Sequence, residues 1–219
     1  MENFIVFAII IATFTVIFAI RAYVRHRRTE AVKKIAAREL GWEFFGDGNH
    51  NIPTFAWDLN LFSKGRSQQV RNLIYTQQEE ASIFIFDYQY QQGSRKNRLT
   101  DYQTVVLFES DTLALPRFLL IPENIFHKIG QLFGYQDIDF SEHPQFSWQY
   151  LLRGDCKDKI RQLFNYRVIS LYESRQGVST EGINTLLVYY YAKKSQEPKT
   201  WKAFIEKALD VYRLFKTRF

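Results

Sequence analysis

The first apolar stretch of the chain has no polar side. Phe4 to Ile20 is a run of seventeen residues interrupted only by Thr13 and Thr15. A soluble helix keeps a polar stripe; a bilayer span does not need one. At about 1.5 Å per residue the run covers about 25 Å, near the short end for a bilayer core. Ala22, Tyr23 and Val24 extend it, with Arg21 snorkelling towards the interface. A cleaved leader wants positive charge before the apolar run, but Glu2 precedes this run and arginines follow it. The pattern therefore predicts a transmembrane anchor over residues 1–24. Ala8, Ala12, Thr15 and Ala19 recur at i, i+4, i+7 and i+11, a small-residue stripe that would let a second helix approach closely in lipid.

Beyond the anchor the patterns become amphipathic. Thr29 to Leu40 reads as a helix with Val32, Ile35, Ala36 and Leu40 on one face and Gly41 as its stop. Residues 46–51, Gly-Asp-Gly-Asn-His-Asn, read as a turn: they lack the spacing of a dinucleotide or P-loop motif. Ser82 to Tyr90 alternates, with Phe84, Phe86, Tyr88 and Tyr90 on one face and Ile83, Ile85, Asp87 and Gln89 on the other, and predicts a strand. A polar loop from Gln91 to Thr100 leads to a second strand, Tyr102–Glu109, and a third, Arg117–Ile121, lies between Pro116 and Pro122. A helix is expected over Glu123–Phe133, with Phe126, Ile129, Leu132 and Phe133 inward, and a strand over Phe146–Arg153. Asp155 is the expected N-cap of a helix reaching Tyr172. Ile183–Ala192 reads as a strand, and Leu186–Tyr191, apolar on both faces, suits a central position. After Pro198 an amphipathic helix carries Trp201, Phe204, Ile205, Ala208, Tyr212 and Phe215.

Two segments resemble each other. Phe118-Leu119-Leu120 leads to Lys128-Ile129-Gly130-Gln131-Leu132-Phe133, and Tyr150-Leu151-Leu152 leads to Lys159-Ile160-Arg161-Gln162-Leu163-Phe164. Duplication and convergence on an amphipathic composition both account for this. The elements together predict an α+β protein: a transmembrane helix, then a largely antiparallel sheet with helices packed on one face. The expected divisions are the anchor (1–24), a basic juxtamembrane helix (25–40) and an α+β domain (41–219) able to fold without the anchor.

Charge sharpens this picture. Residues 1–40 hold seven Lys/Arg against three acids, while residues 41–219 hold twenty-two against twenty. The basic character is thus juxtamembrane, in Arg21, Arg25, Arg27, Arg28, Lys33, Lys34 and Arg38. It places that side in the cytoplasm and the N-terminus outside. Arg21, Arg25, Arg27, Arg28, Lys33 and Lys34 are the candidate lipid-headgroup or topology residues, each worth about 1 kcal/mol near an anionic surface. The balanced domain argues against a nucleic-acid partner, which would need Tyr88 and Tyr90 exposed beside Arg95, Lys96 and Arg98. Cys156 is the single cysteine, so no disulfide framework is available within the chain.

Catalytic signatures are weak. His26, His50, His127 and His143 form no metal-type pair. Asp137, Asp139, Glu142 and His143 are the best metal candidates, but they lack the glycine turn of a calcium loop, and neither a metal nor a cofactor is expected.

Phe86-Asp87-Tyr88-x-Tyr90, Thr104-Val105-Val106, Leu115-Pro116-x-Phe118, Ile121-Pro122-Glu123, Asp137-Ile138-Asp139-Phe140 and Phe146-Ser147 resemble a family of uncharacterised bacterial membrane-anchored proteins with an N-terminal helix and an α+β domain. The resemblance covers most of residues 41–219 and implies class and topology, without a catalytic residue or ligand. The expected function is that of a non-enzymatic tethered protein that docks on or stabilises a membrane complex. Its partners would be membrane lipids and a membrane protein or second copy met through the anchor. The alternative is a tethered enzyme acting on a lipid or small molecule.

Overall fold

A computed structural model of the chain describes residues 2–94, 97–125 and 136–216. Helix α1 (Glu2–Ile35) is continuous for 34 residues and runs on through a π-helical turn, Ala36–Leu40. Gly41 ends it with φ 68°, a left-handed conformation that favours glycine, and its N–H closes onto the Ala36 carbonyl. Every described residue from Phe4 to Arg27 is exposed, and the helix is long and apolar enough to cross a membrane. Thr13 and Thr15 donate their hydroxyls to the Ile9 and Ile11 carbonyls, so neither presents an unsatisfied polar group to lipid.

The last turns of the helix belong to the domain core. Val32, Ile35 and Ala36 are buried. The division at residue 41 therefore cuts through the core: Val32 and Ala36 pack with Ile74, Ile83, Ile85 and Val106 of the sheet.

Among the described residues the sheet has nine strands: β1 (Glu43–Gly46), β2 (Arg66–Gln77), β3 (Ser82–Gln92), β4 (Leu99–Glu109), β5 (Leu115–Pro122), β6 (Gln136–Asp137), β7 (Tyr150–Gly154), β8 (Ser179–Asn184) and β9 (Leu186–Tyr190). Their spatial order is β1-β2-β3-β4-β9-β8-β5-β7-β6, and every pairing is antiparallel. β9 lies near the centre with all five residues buried, as its two-faced apolar pattern requires. On one face pack the end of α1 and helices α3 (Pro144–Gln149), α4 (Lys157–Leu163), α5 (Tyr166–Glu173) and α6 (Trp201–Phe215). On the other face the β1–β2 connection, with its one-turn helix α2 (Asn60–Ser63), covers Phe84, Phe86, Tyr88 and Tyr90 with Ile52, Leu61 and Phe62. The fold is α+β, with the longer helices on one side.

Several local expectations change. The strand expected over Phe146–Arg153 begins only at Tyr150; Pro144 opens a helical turn that buries Phe146. The helix expected from Asp155 to Tyr172 is two helices. The first follows Cys156, and the second is capped by Asn165, whose side chain accepts from the Arg167 and Val168 N–H groups. The strand expected over Ile183–Ala192 is a tight hairpin of β8 and β9, which turns at Asn184 (φ 51°) and Thr185. The two similar Leu-Leu segments pair as β5 and β7, Leu120 opposite Leu152. The helix expected after Glu123 lies outside the described residues beyond Ile125.

Candidate functional site at the membrane junction

Where α1 meets the sheet, one carboxylate gathers four donors. Asp87 sits on the α1-facing side of β3. Arg28 donates from Nε to Oδ2 and from Nη2 to Oδ1, both at 2.6 Å. Asn72 Nδ2 adds a bond to Oδ2 at 2.9 Å, and Thr104 Oγ1 one to Oδ1 at 3.0 Å. The fork-on-fork geometry makes the Arg28–Asp87 pair directional as well as strong. The side chains are only 27% and 14% exposed, so screening by water is reduced.

The network continues outward. Thr29 donates to Asn72 Oδ1 at 2.7 Å, and Arg28 Nη2 also donates to the Gln196 carbonyl at 2.8 Å. The Gln196 N–H returns to Thr104 Oγ1 at 2.8 Å. Asn72 has φ 52° beside a register shift in β2, and its N–H is held by Asp47. Three sequence-distant segments thus meet on the helix: β2, the β3–β4 pair, and the connection before α6.

The other expected headgroup residues divide. Arg21, Arg25, Arg27 and Lys34 are exposed along α1, and Arg27 lies 6.0 Å over the Tyr23 ring. Lys33 lies 5.5 Å over Phe44 and bonds Glu30, and that bond chiefly holds the Glu30 carboxyl below its usual range. Arg28 differs, because its guanidinium is spent on the domain. Ala8, Ala12, Thr15 and Ala19 lie on the bare part of the helix.

The acidic cluster at 137–143 does not converge. Asp137 pairs with Arg153, Arg161 donates to the Asp139 carbonyl, Glu142 is exposed, and His143 lies 3.9 Å from Glu173. Among the described residues no three His, Cys, Asp or Glu side chains are grouped as a metal site. Tyr88 and Tyr90 are buried, so they offer no stacking platform; burial pushes the Tyr90 hydroxyl up to about 12.

Sequence reasoning missed a second carboxylate. Glu181 in β8 is fully buried and accepts from the Leu61 N–H at 3.2 Å and from the Tyr190 hydroxyl at 2.9 Å. It latches the turn of α2 onto the sheet, and burial lowers the nearby Lys64 ammonium against the opposing pull of Glu181. An open cleft of about 820 Å³ between β5 and α4 contains Arg117, Asp155, Cys156 and Lys159. The Arg117 guanidinium there is already donating to the Asp58 carbonyl at 2.7 Å. Asp87 and Glu181 both accept hydrogen bonds from structural donors and so hold segments of the domain together.

No family model matches the chain, and no curated protein sequence matches it. Among solved structures, the crystal structure of the mycobacterial trehalose monomycolate transport factor A is similar, with a TM-score of 0.57 and 10% identity, covering 88% of this chain and 97% of that one. At that identity the likeness is one of fold: an α+β domain of this architecture occurs in a mycobacterial transport factor.

Proposed function

We propose that this chain is a single-pass, membrane-tethered interaction protein whose domain is presented to a membrane complex by a rigid anchor. The observation that carries this reading is the continuous helix α1, bare from Phe4 to Arg27 and fixed to the sheet through Arg28 and Asp87. A flexible tether would suffice to keep an enzyme near its lipid. A helix locked into the domain's hydrogen-bond network instead sets one orientation, which is useful when a surface must meet a partner. The similarity to a protein described as a transport factor supports an accessory role at a membrane.

In this reading the arginines after the span hold the domain in the cytoplasm. A reporter fused after Phe219 is expected to be active only in a cytoplasm-dependent form; activity of a periplasm-dependent reporter there overturns the orientation. The stripe Ala8, Ala12, Thr15 and Ala19 is the proposed contact with a partner helix or a second copy. Ala12→Ile holds helix backbones apart while keeping the span apolar. It is expected to release the co-purifying membrane protein, or the oligomer, in mild detergent, whereas Ile10→Leu on the opposite face leaves it intact. Identical behaviour of the two variants removes the stripe from the mechanism.

A further inference from the structure

The direction of α1 against the sheet sets where the paired ends of β3 and β4, Gln92 and Leu99, lie. Arg28 meets Asp87. Further along the chain Glu43 lies opposite Tyr75, which lies opposite Phe84. The helix therefore runs against the direction of β3, and its membrane end points the same way as the Gln92 end of β3 and the Leu99 end of β4. From the Arg28–Asp87 contact, the seven helical residues back to Arg21 rise about 10 Å, while the five strand residues on to Gln92 rise about 17 Å. Gln92 reaches the plane of Arg21 at any crossing angle up to about 50°.

The composition of this end of the two strands fits that position. Leu99 is 67% and Tyr102 54% exposed, on opposite faces of β4. Arg66 and Arg98 are exposed beside them, and Arg66 donates to the Gly93 carbonyl. Among the described residues from Gln89 to Tyr102 the charged ones are Arg98 and one acid. That acid, Asp101, is buried, 3.2 Å from Lys193 Nζ, and accepts from Gln92. Exposed tyrosine, exposed leucine and unbalanced arginine make up the composition of a bilayer interface.

We infer that the exposed end of β3 and β4, with Arg66, Arg98, Leu99 and Tyr102, is a second membrane-contact site, seated on anionic lipid headgroups beside the anchor. Two contacts fix the tilt of the domain against the membrane plane, which a single span leaves free. The inference rests on α1 being a bilayer span, so the test reads the two separately. The full chain with Cys156→Ser is placed in nanodiscs of phosphatidylglycerol and phosphatidylcholine. A fluorophore is carried by Leu99→Cys, by Asp111→Cys at the far end of β4, or by Ile10→Cys in the span. Quenching is measured with a headgroup nitroxide lipid for the first two and a mid-chain nitroxide lipid for the third. The expected result is loss of fluorescence at positions 10 and 99 and none at 111, with the loss at 99 reduced by Arg66→Glu together with Arg98→Glu. Quenching at 10 without quenching at 99 leaves the span intact and overturns the contact. Equal quenching at 99 in pure phosphatidylcholine overturns the recognition of anionic headgroups.

Discussion

At the scale of single residues the decisive group is a carboxylate placed where a strand face is otherwise apolar. Asp87 interrupts the series Ile83, Ile85 on the face that receives α1. A lone acid there costs desolvation unless every lone pair is used, and Asp87 receives four hydrogen bonds. Removing it leaves Arg28, Asn72 Nδ2 and Thr104 Oγ1 without their acceptor. Breaking a buried pair costs about 3–5 kcal/mol; the partial exposure here puts Asp87→Ala at about 2–3 kcal/mol. Arg28→Met, which keeps the aliphatic stem, is expected to cost less than Asp87→Ala, and the double variant less than the sum of the two. Chemical unfolding of the full chain in detergent, followed by tryptophan fluorescence, measures the three values. Strict additivity would show that the pair is not coupled and that the helix is held by apolar packing alone.

At the scale of elements, what the sequence revealed depended on how strongly each pattern was repeated. β3 was legible because Ser82–Tyr90 alternates between two faces, β4 because of its continuous apolar run Val105–Phe108, and α6 because seven buried positions recur at helical spacing. β2 escaped notice: Arg66–Gln77 is polar in its first half, where it runs out beside the Gln92 end of β3, and its alternation is broken by the bulge at Asn72. β8 escaped because Ser179, Thr180 and Glu181 are polar yet buried, each in a setting that only the tertiary structure supplies. The break between α4 and α5 had a readable signal in Asn165, a good N-cap, but a continuous apolar stripe masked it. The junction was half legible. The basic run announced Arg28, but Asn72, Asp87 and Thr104 are brought together by strand register, and Gln196 by the connection before α6.

At the scale of the whole molecule the anchor and the domain share one core, and this sets where the chain can be divided. Trimming to residues 41–219 removes Val32, Ile35 and Ala36 from contact with the sheet and takes Arg28 from Asp87. The lost burial alone is about 4–6 kcal/mol, against a total stability of about 5–15 kcal/mol for a domain. The trimmed domain would also open the apolar face of Ile74, Ile83 and Ile85 to water. Trimming to residues 26–219 removes the bare span and keeps every one of these contacts. The longer piece is therefore expected to be soluble and to unfold in one cooperative transition. The shorter piece is expected to melt earlier and more broadly and to bind a hydrophobic dye in clean buffer. Thermal unfolding of the two pieces side by side, with dye fluorescence as the second readout, makes the comparison. Equal midpoints would show that residues 26–40 contribute nothing to the core. The rigid seating of the anchor, on which the presentation of the domain to a membrane partner depends, would then lose its structural basis.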